Sequence, residues 1–440
     1  MKKLLILAYD FPPYVSVGGL RPYNWFRYLK DFDIEPIVIT RQWSNTHGNH
    51  LDYISPGISP LVIEEKSDRG TIYRTPYHPN LSNRLLLKYG DSRYKLFRKL
   101  ISGYYEFAQF LFPIGPKSGL YDCARKYLKE NKVDAIIATG DPFVLFSYAS
   151  KLSKEFDIPW IADYRDTWVQ DKTRSGNRLT KGWNSFFERR FLRNAEKVIT
   201  VSNFIKKQLQ QNIPEKSYEI VLNGFDPEEM EKGRQIAQQE DVFTISFAGL
   251  IYKWHPYLSF LNICEKLIVE EKIKIRLNFY GINNREEIEL FLEQKCPNLK
   301  GSTTIYGKVE NEILIQKIAV SNAFLLFNDY SILGTKIFTY LGLNRQIILC
   351  YTNDDKARQL KDKFYNLEEF ESESKQLQME LIEKTNSGII VENEQHLKEV
   401  IMELYREFSE TGKVKCESQG IENYSRKLQV EKLAQLIKNI

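Results

Sequence analysis

Strand-length apolar runs alternate with amphipathic helical stretches along almost the whole chain, and halfway along the alternation starts afresh. The first series has runs at 4–8, 36–40, 135–139, 160–162 and 198–201; the second has runs at 243–247, 275–280, 304–306, 323–327, 347–350 and 388–391. A run without polar alternation is a strand buried on both faces, and buried strands separated by helices form a parallel sheet covered on both sides. Two such series predict an α/β protein of two doubly wound domains. The length agrees, because 440 residues exceed what one hydrophobic core serves. The polar, breaker-bearing stretch 210–216 (QQNIPEK) marks the boundary, and 228–240 competes with it.

Composition excludes several classes. A charged fraction of 27% and a hydrophobic fraction of 42% suit a globular chain rather than a disordered one. A net charge of +5 is too small to argue for nucleic acid. The five cysteines form no CxxC pair and mostly sit in apolar stretches, as free thiols in a reducing cytoplasm do. The five histidines show no HExxH or other ligand spacing, so no protein-bound metal is expected. The apolar run after the two N-terminal lysines is too short for a signal segment, and no run reaches membrane-spanning length.

Candidate chemistry gathers where strands end. After the run 4–8, Asp10, Pro12 and Pro13 break the strand, and Gly18-Gly19 open a helical stretch. Side-chain-free residues at a helix start let an anion approach unpaired amides, although the same pair also suits a plain turn. The spacing is not GxGxxG, so a dinucleotide site is not supported. Asp141 follows the run 135–139, placed either for a ligand or as a turn residue or helix cap. The segment 161–168 (IADYRDTW) is denser. There Arg165 can fork onto a phosphate and Asp166 can orient or deprotonate a hydroxyl, while Tyr164 and Trp168 can stack on a sugar or base. A structural ion pair between Arg165 and an aspartate is the competing account.

In the second series Gly249 ends a strand with Lys253 nearby, and Gly334-Thr335-Lys336 reads as a helix start with Thr335 as cap. Together they suit a diphosphate without metal; Lys336 as a solvated helix residue is the alternative. Between 84 and 112, lysines and arginines interleave with leucines and aromatics. That mixture suits an anionic membrane surface or a lipid-linked acceptor, and equally an ordinary surface helix.

Taken in order, YDFPP…GGLRPYNWFRYL, the DPF segment, IPWIADYRDTW, AEKVITVSNF, VLNGFD and GTKIFTYLGL resemble retaining glycosyltransferases of family four, which have the GT-B fold. The likeness is strongest to bacterial members that build surface polysaccharides, and it runs from Lys3 to the closing helix. It implies two Rossmann-like domains with a cleft between them: an acceptor domain at 1–212, completed by a closing helix within 421–440, and a nucleotide-sugar donor domain at 213–420. By the same resemblance Gly18, Gly19, Gly249, Lys253, Gly334, Thr335, Lys336 and Thr339 would attend the donor, while Arg165, Asp166 and Asp141 would be acceptor or catalytic groups. The co-substrate would be UDP- or GDP-linked, with no other cofactor. The protein would be cytoplasmic, at most peripheral on the inner face of the cell membrane.

Two departures stand out. The family's paired glutamates map to Ser331 and Thr339, neither acidic, and the usual arginine after Gly249 is Leu250. These open two alternatives: a donor-incompetent partner subunit of a polysaccharide assembly complex, or a nucleotide-sugar epimerase of the same fold.

Overall fold

A computed structural model describes residues 1–14, 16–43, 50–170, 178–330, 332–363 and 376–440. The chain divides into two compact units, Met1–Leu222 with Gln429–Ile440, and Asn223–Leu428.

The first unit is built on an eight-stranded sheet: β1 (Lys2–Leu7), β2 (Ile34–Arg41), β3 (Ile63–Lys66), β4 (Thr71–Thr75), β5 (Ala135–Gly140), β6 (Trp160–Tyr164), β7 (Lys197–Thr200) and β8 (Tyr218–Ile220). Their spatial order is β3-β4-β2-β1-β5-β6-β7-β8. All pairs are parallel except β3 with β4, which form an antiparallel hairpin at the edge. The sequence reading missed that hairpin, because the four residues of β3 are mostly exposed and charged and carry no buried apolar run. β8 pairs with β7, and so holds 218–220 in the first unit. The compact division therefore falls at Leu222, ten residues beyond the expected 212.

Why β1 is continuously apolar is visible in its packing. Leu5 and Leu7 enter one core with Ile37, Ile136 and Ala138, while Leu4 and Ile6 enter the opposite core with Val38, Ile137 and Ile161. Both faces are buried, so period-two alternation has nothing polar to show. The second core is completed from the far end of the sequence: Val430, Leu433, Ala434 and Ile437 of the Arg426–Lys438 helix pack into it.

The second unit has a fully parallel sheet of six strands: β9 (Phe243–Ala248), β10 (Ile275–Tyr280), β11 (Thr303–Tyr306), β12 (Ala323–Phe327), β13 (Gln346–Cys350) and β14 (Gly388–Val391), in the order β11-β10-β9-β12-β13-β14. Its core gathers Phe247, Leu277, Leu325 and Ile348 with Phe260, Leu267 and Leu404 from the covering helices. Among the described residues no helix is long and apolar enough to cross a membrane.

Candidate active site

The carboxyl ends of β1, β5 and β6 lie side by side in the first sheet, and the loops leaving them carry the candidate residues. Ser16 caps the Val17–Tyr28 helix, its hydroxyl accepting from the Gly19 amide at 2.9 Å. The guanidinium of Arg165 is pinned across the loops: Nε donates to the Gly140 carbonyl and Nη2 to the Asp141 carbonyl, both at 2.8 Å. Its Nη1 then lies where a side chain at Gly18 would begin, 1.6 Å from an ideal Cβ. Gly18 is therefore required for the seat of Arg165. A Cβ on Gly19 would come within 3.3 Å of the Asp10 backbone.

Among the described residues, Arg165 is bound by backbone carbonyls and is not joined to a carboxylate in an ion pair. That role belongs to Arg21, which grips Asp163 through Nε at 2.9 and 3.1 Å and through Nη2 at 2.8 Å, while its Nη1 donates to the Val221 carbonyl. Thr139 donates to the same carboxylate at 2.7 Å. Arg21 and Asp163 are both buried, so either alone would leave an unpaired charge in the core. Tyr164 cannot stack on a ligand, contrary to expectation, because it is fully buried with its hydroxyl on Glu188 at 3.1 Å. Trp168 is also buried and stacks on Phe143 with centroids 5.0 Å apart. Asp166 is exposed at the end of β6.

Two further groups join this end of the sheet. Asp10 accepts from Ser16 Oγ and Tyr53 Oη, each at 3.0 Å. Burial raises its carboxyl above the ordinary range against the pull of Arg165. Lys117 and Asp141 line one cavity of about 300 Å³ together with Glu106, Phe143, Trp168 and Asn184. Burial lowers the Lys117 ammonium, and Asp141 opposes the shift. Sequence reading treated Asp10 only as a strand breaker and passed over Lys117, since neither has a local pattern that marks it.

In the second unit the candidates centre on Lys336, the first residue of the Lys336–Leu343 helix. Its ammonium donates to the Leu250 carbonyl at 3.0 Å and sits 4.4 Å from the centre of the Phe247 ring. Gly249 has φ +103° and passes so close that a Cβ would meet Lys336 Cε at 3.0 Å. Burial lowers the Lys336 ammonium to about 8, with Asp329 pulling it back up. Thr335 occupies the cap position, yet it is helical in conformation and its side chain makes no capping hydrogen bond, which corrects the capping role expected of it. Gly334 has open space around it, and Thr339 is half-buried within the helix. Lys253 is exposed; among the described residues the cations clustered with Asp329 are Lys336 and Lys361. Ser331 lies outside the described residues.

Asp329, just past β12, organises a group that sequence reading missed. Its Oδ1 accepts from Trp254 Nε1 at 3.1 Å, His255 Nε2 at 3.2 Å and Lys361 Nζ at 3.3 Å. Lys361 also donates to the Asp329 carbonyl. The Tyr252 amide donates to His255 Nδ1, which assigns the ring proton to Nε2. Burial alone would raise the Asp329 carboxyl, but Lys361, His255 and Lys336 outweigh it and hold it well below the ordinary range. The result is a fixed carboxylate whose charge acts on the Lys336 ammonium. Residues 254, 329 and 361 are too far apart in sequence for any local motif to reveal the cluster.

This architecture, two doubly wound units with the last helix returned to the first, is the GT-B fold of glycosyltransferases. Solved structures with it include sucrose-phosphate synthase from Thermosynechococcus elongatus (14% identity, 100% of this chain and 99% of that one, TM-score 0.61). The E. coli trehalose-6-phosphate protein bound with UDP-2-fluoro glucose has 11% identity, coverage of 100% and 99%, and TM-score 0.59. Anabaena HepE in complex with UDP-glucose has 12% identity, full coverage of both chains and TM-score 0.57. No curated protein sequence matches the chain. Residues 22–229, most of the first unit and the start of the second, match the model of Glycosyltransferase Family 4.

Proposed function

We propose that the protein is a retaining, metal-independent glycosyltransferase that moves a sugar from a UDP- or GDP-sugar to a carbohydrate or lipid-linked acceptor in surface polysaccharide biosynthesis. The first unit takes the acceptor and the second the donor. The observation that carries this reading is Lys336, an ammonium at a helix start, set against the open backbone of Gly249. HepE with UDP-glucose and the E. coli protein with UDP-2-fluoro glucose, solved with nucleotide sugars on the same fold, support it.

Chemically, the leaving diphosphate would gain the Lys336 charge and the amides at the start of its helix, both fixed before the reaction starts. The Leu250 carbonyl and the Phe247 ring hold the lysine in place. On the acceptor side Arg165, anchored by two carbonyls, and the carboxylates of Asp141 and Asp166 are the groups that would orient an attacking hydroxyl. The working place is the cytoplasm, with an anionic inner membrane surface as partner of residues 84–112.

A panel of UDP- and GDP-sugars tests the reading: one donor should release its nucleotide in the presence of acceptor, without added metal. Failure of every donor to turn over, with no UDP or GDP binding by calorimetry, would sink it. Thr339, standing where the family keeps a glutamate, favours a second reading as a donor-incompetent partner subunit. That reading expects the same absence of nucleotide binding.

A further inference from the structure

Two helices of the first unit turn large apolar side chains to solvent. On the Lys95–Leu111 helix only Arg98 and Phe110 are buried, whereas Leu96 is 80% exposed and Leu100 74%. At 100° per residue, Leu96, Phe97, Leu100, Tyr104, Phe107 and Leu111 share an arc of about 100°. Phe107 packs edge-on against Trp183 of the Arg178–Leu192 helix, so the two helices are neighbours. That second helix exposes Leu179 (78%) and Phe186 on its own outer side.

Beside Phe186 runs a shallow groove of about 670 Å³ lined by Lys154, Arg189, Arg190 and Arg193, with no carboxylate among its described lining residues. Apolar side chains beside clustered cations match the layered chemistry of an acidic bilayer, hydrocarbon beneath phosphate. A protein partner would have to supply a matching apolar and acidic face, and a second copy of this chain would bring cation against cation.

The same two helices enclose the cavity that holds Lys117 and Asp141: Glu106 and Gln109 line it from one, Thr180 and Asn184 from the other. We propose that this face docks the first unit on an anionic phospholipid bilayer, so that the cavity between the helices takes its acceptor sugar from a lipid anchor in that bilayer. This rests on the glycosyltransferase reading for its acceptor and deepens the membrane partner named there into a defined face, whose docking is tested without turnover. An acceptor held at the membrane surface reaches the cavity in two dimensions, and the docked face sets its angle of entry.

Sedimentation with vesicles tests the docking. The full chain should pellet with phosphatidylcholine vesicles containing phosphatidylglycerol and not with phosphatidylcholine alone. Leu96→Glu/Leu100→Glu and Arg190→Glu/Arg193→Glu should each lower binding on the order of ten-fold or more. Unchanged binding in both variants, or equal binding to neutral vesicles, overturns the proposal. So does concentration-dependent dimerisation abolished by Leu96→Glu/Leu100→Glu, which would make the face a protein interface.

For the acceptor, each saccharide is presented free and on a hexadecyl chain in the same vesicles, with nucleotide release as the readout. Faster turnover of the chain-borne form, lost in both variants while UDP or GDP binding is kept, is the expected result. Equal rates for the two forms overturn the acceptor assignment. If nothing turns over and no nucleotide binds, the glycosyltransferase reading fails, and the vesicle experiment still decides the docking.

Discussion

Single side chains carry the chemistry, and Gly18 shows how a residue without one can matter. Because a Cβ there would fall on Arg165 Nη1, Gly18→Ala should displace the guanidinium and lower turnover about ten-fold or more, with thermal stability nearly unchanged. In an Arg165→Ala background the same change should cost little further, and a double-mutant cycle on kcat/KM checks it. If Lys336 holds the donor diphosphate as proposed, Lys336→Ala should raise the donor KM ten- to a hundred-fold or so, with acceptor KM near wild type. Its ammonium titrates at about 8, and the charged form is the one that binds an anion. Donor affinity should therefore hold below pH 8 and fall up to about ten-fold per unit above it, whereas Lys336→Arg keeps its charge and flattens the profile. The sign for stability is opposite. Since the folded group is the weaker base, its penalty applies below pH 8 and is relieved as pH rises through 8 toward 10.5.

Glu188 illustrates what a helix does for a loop. It sits buried in the Arg178–Leu192 helix and accepts from Tyr164 at the end of β6, Gln170 beyond it, and Asn212 at the end of another helix. Burial raises its carboxyl to about 7, against three hydrogen bonds that favour the anion. A carboxyl with a raised folded pKa stabilises less as pH climbs, because the unfolded chain ionises first. The urea midpoint should fall between pH 4.5 and 7 and then level off. Glu188→Gln should remove that slope, up to about 3 kcal/mol in all. Element by element the strands were legible: 275–280, 323–327 and 388–391 are strands over those same residues. The β3–β4 hairpin was not, because an edge strand facing water lacks the apolar run that marks a buried one. Thr335 was read as a cap from its residue type, while capping depends on a backbone conformation that the local sequence does not fix.

At the scale of the molecule, the last twelve residues complete a core begun by the first seven. Leu433 is fully buried among residues of that core, so Leu433→Ala should cost about 2–5 kcal/mol, read as a lower urea midpoint of the first unit. By itself the sequence determined the two α/β units and most of their strands. Periodic burial is written into consecutive residues, so a local window suffices to read it. It also pointed to the strand ends where Gly18, Arg165, Gly249 and Lys336 stand. Only the tertiary structure decided that Arg21 rather than Arg165 neutralises Asp163, and that Asp329 gathers Trp254, His255 and Lys361. It also brought Lys117 to Asp141, and the final helix to the first sheet. Such pairings depend on distances set by the packing of whole elements, and residues 142 positions apart, like Arg21 and Asp163, leave no trace of each other along the chain.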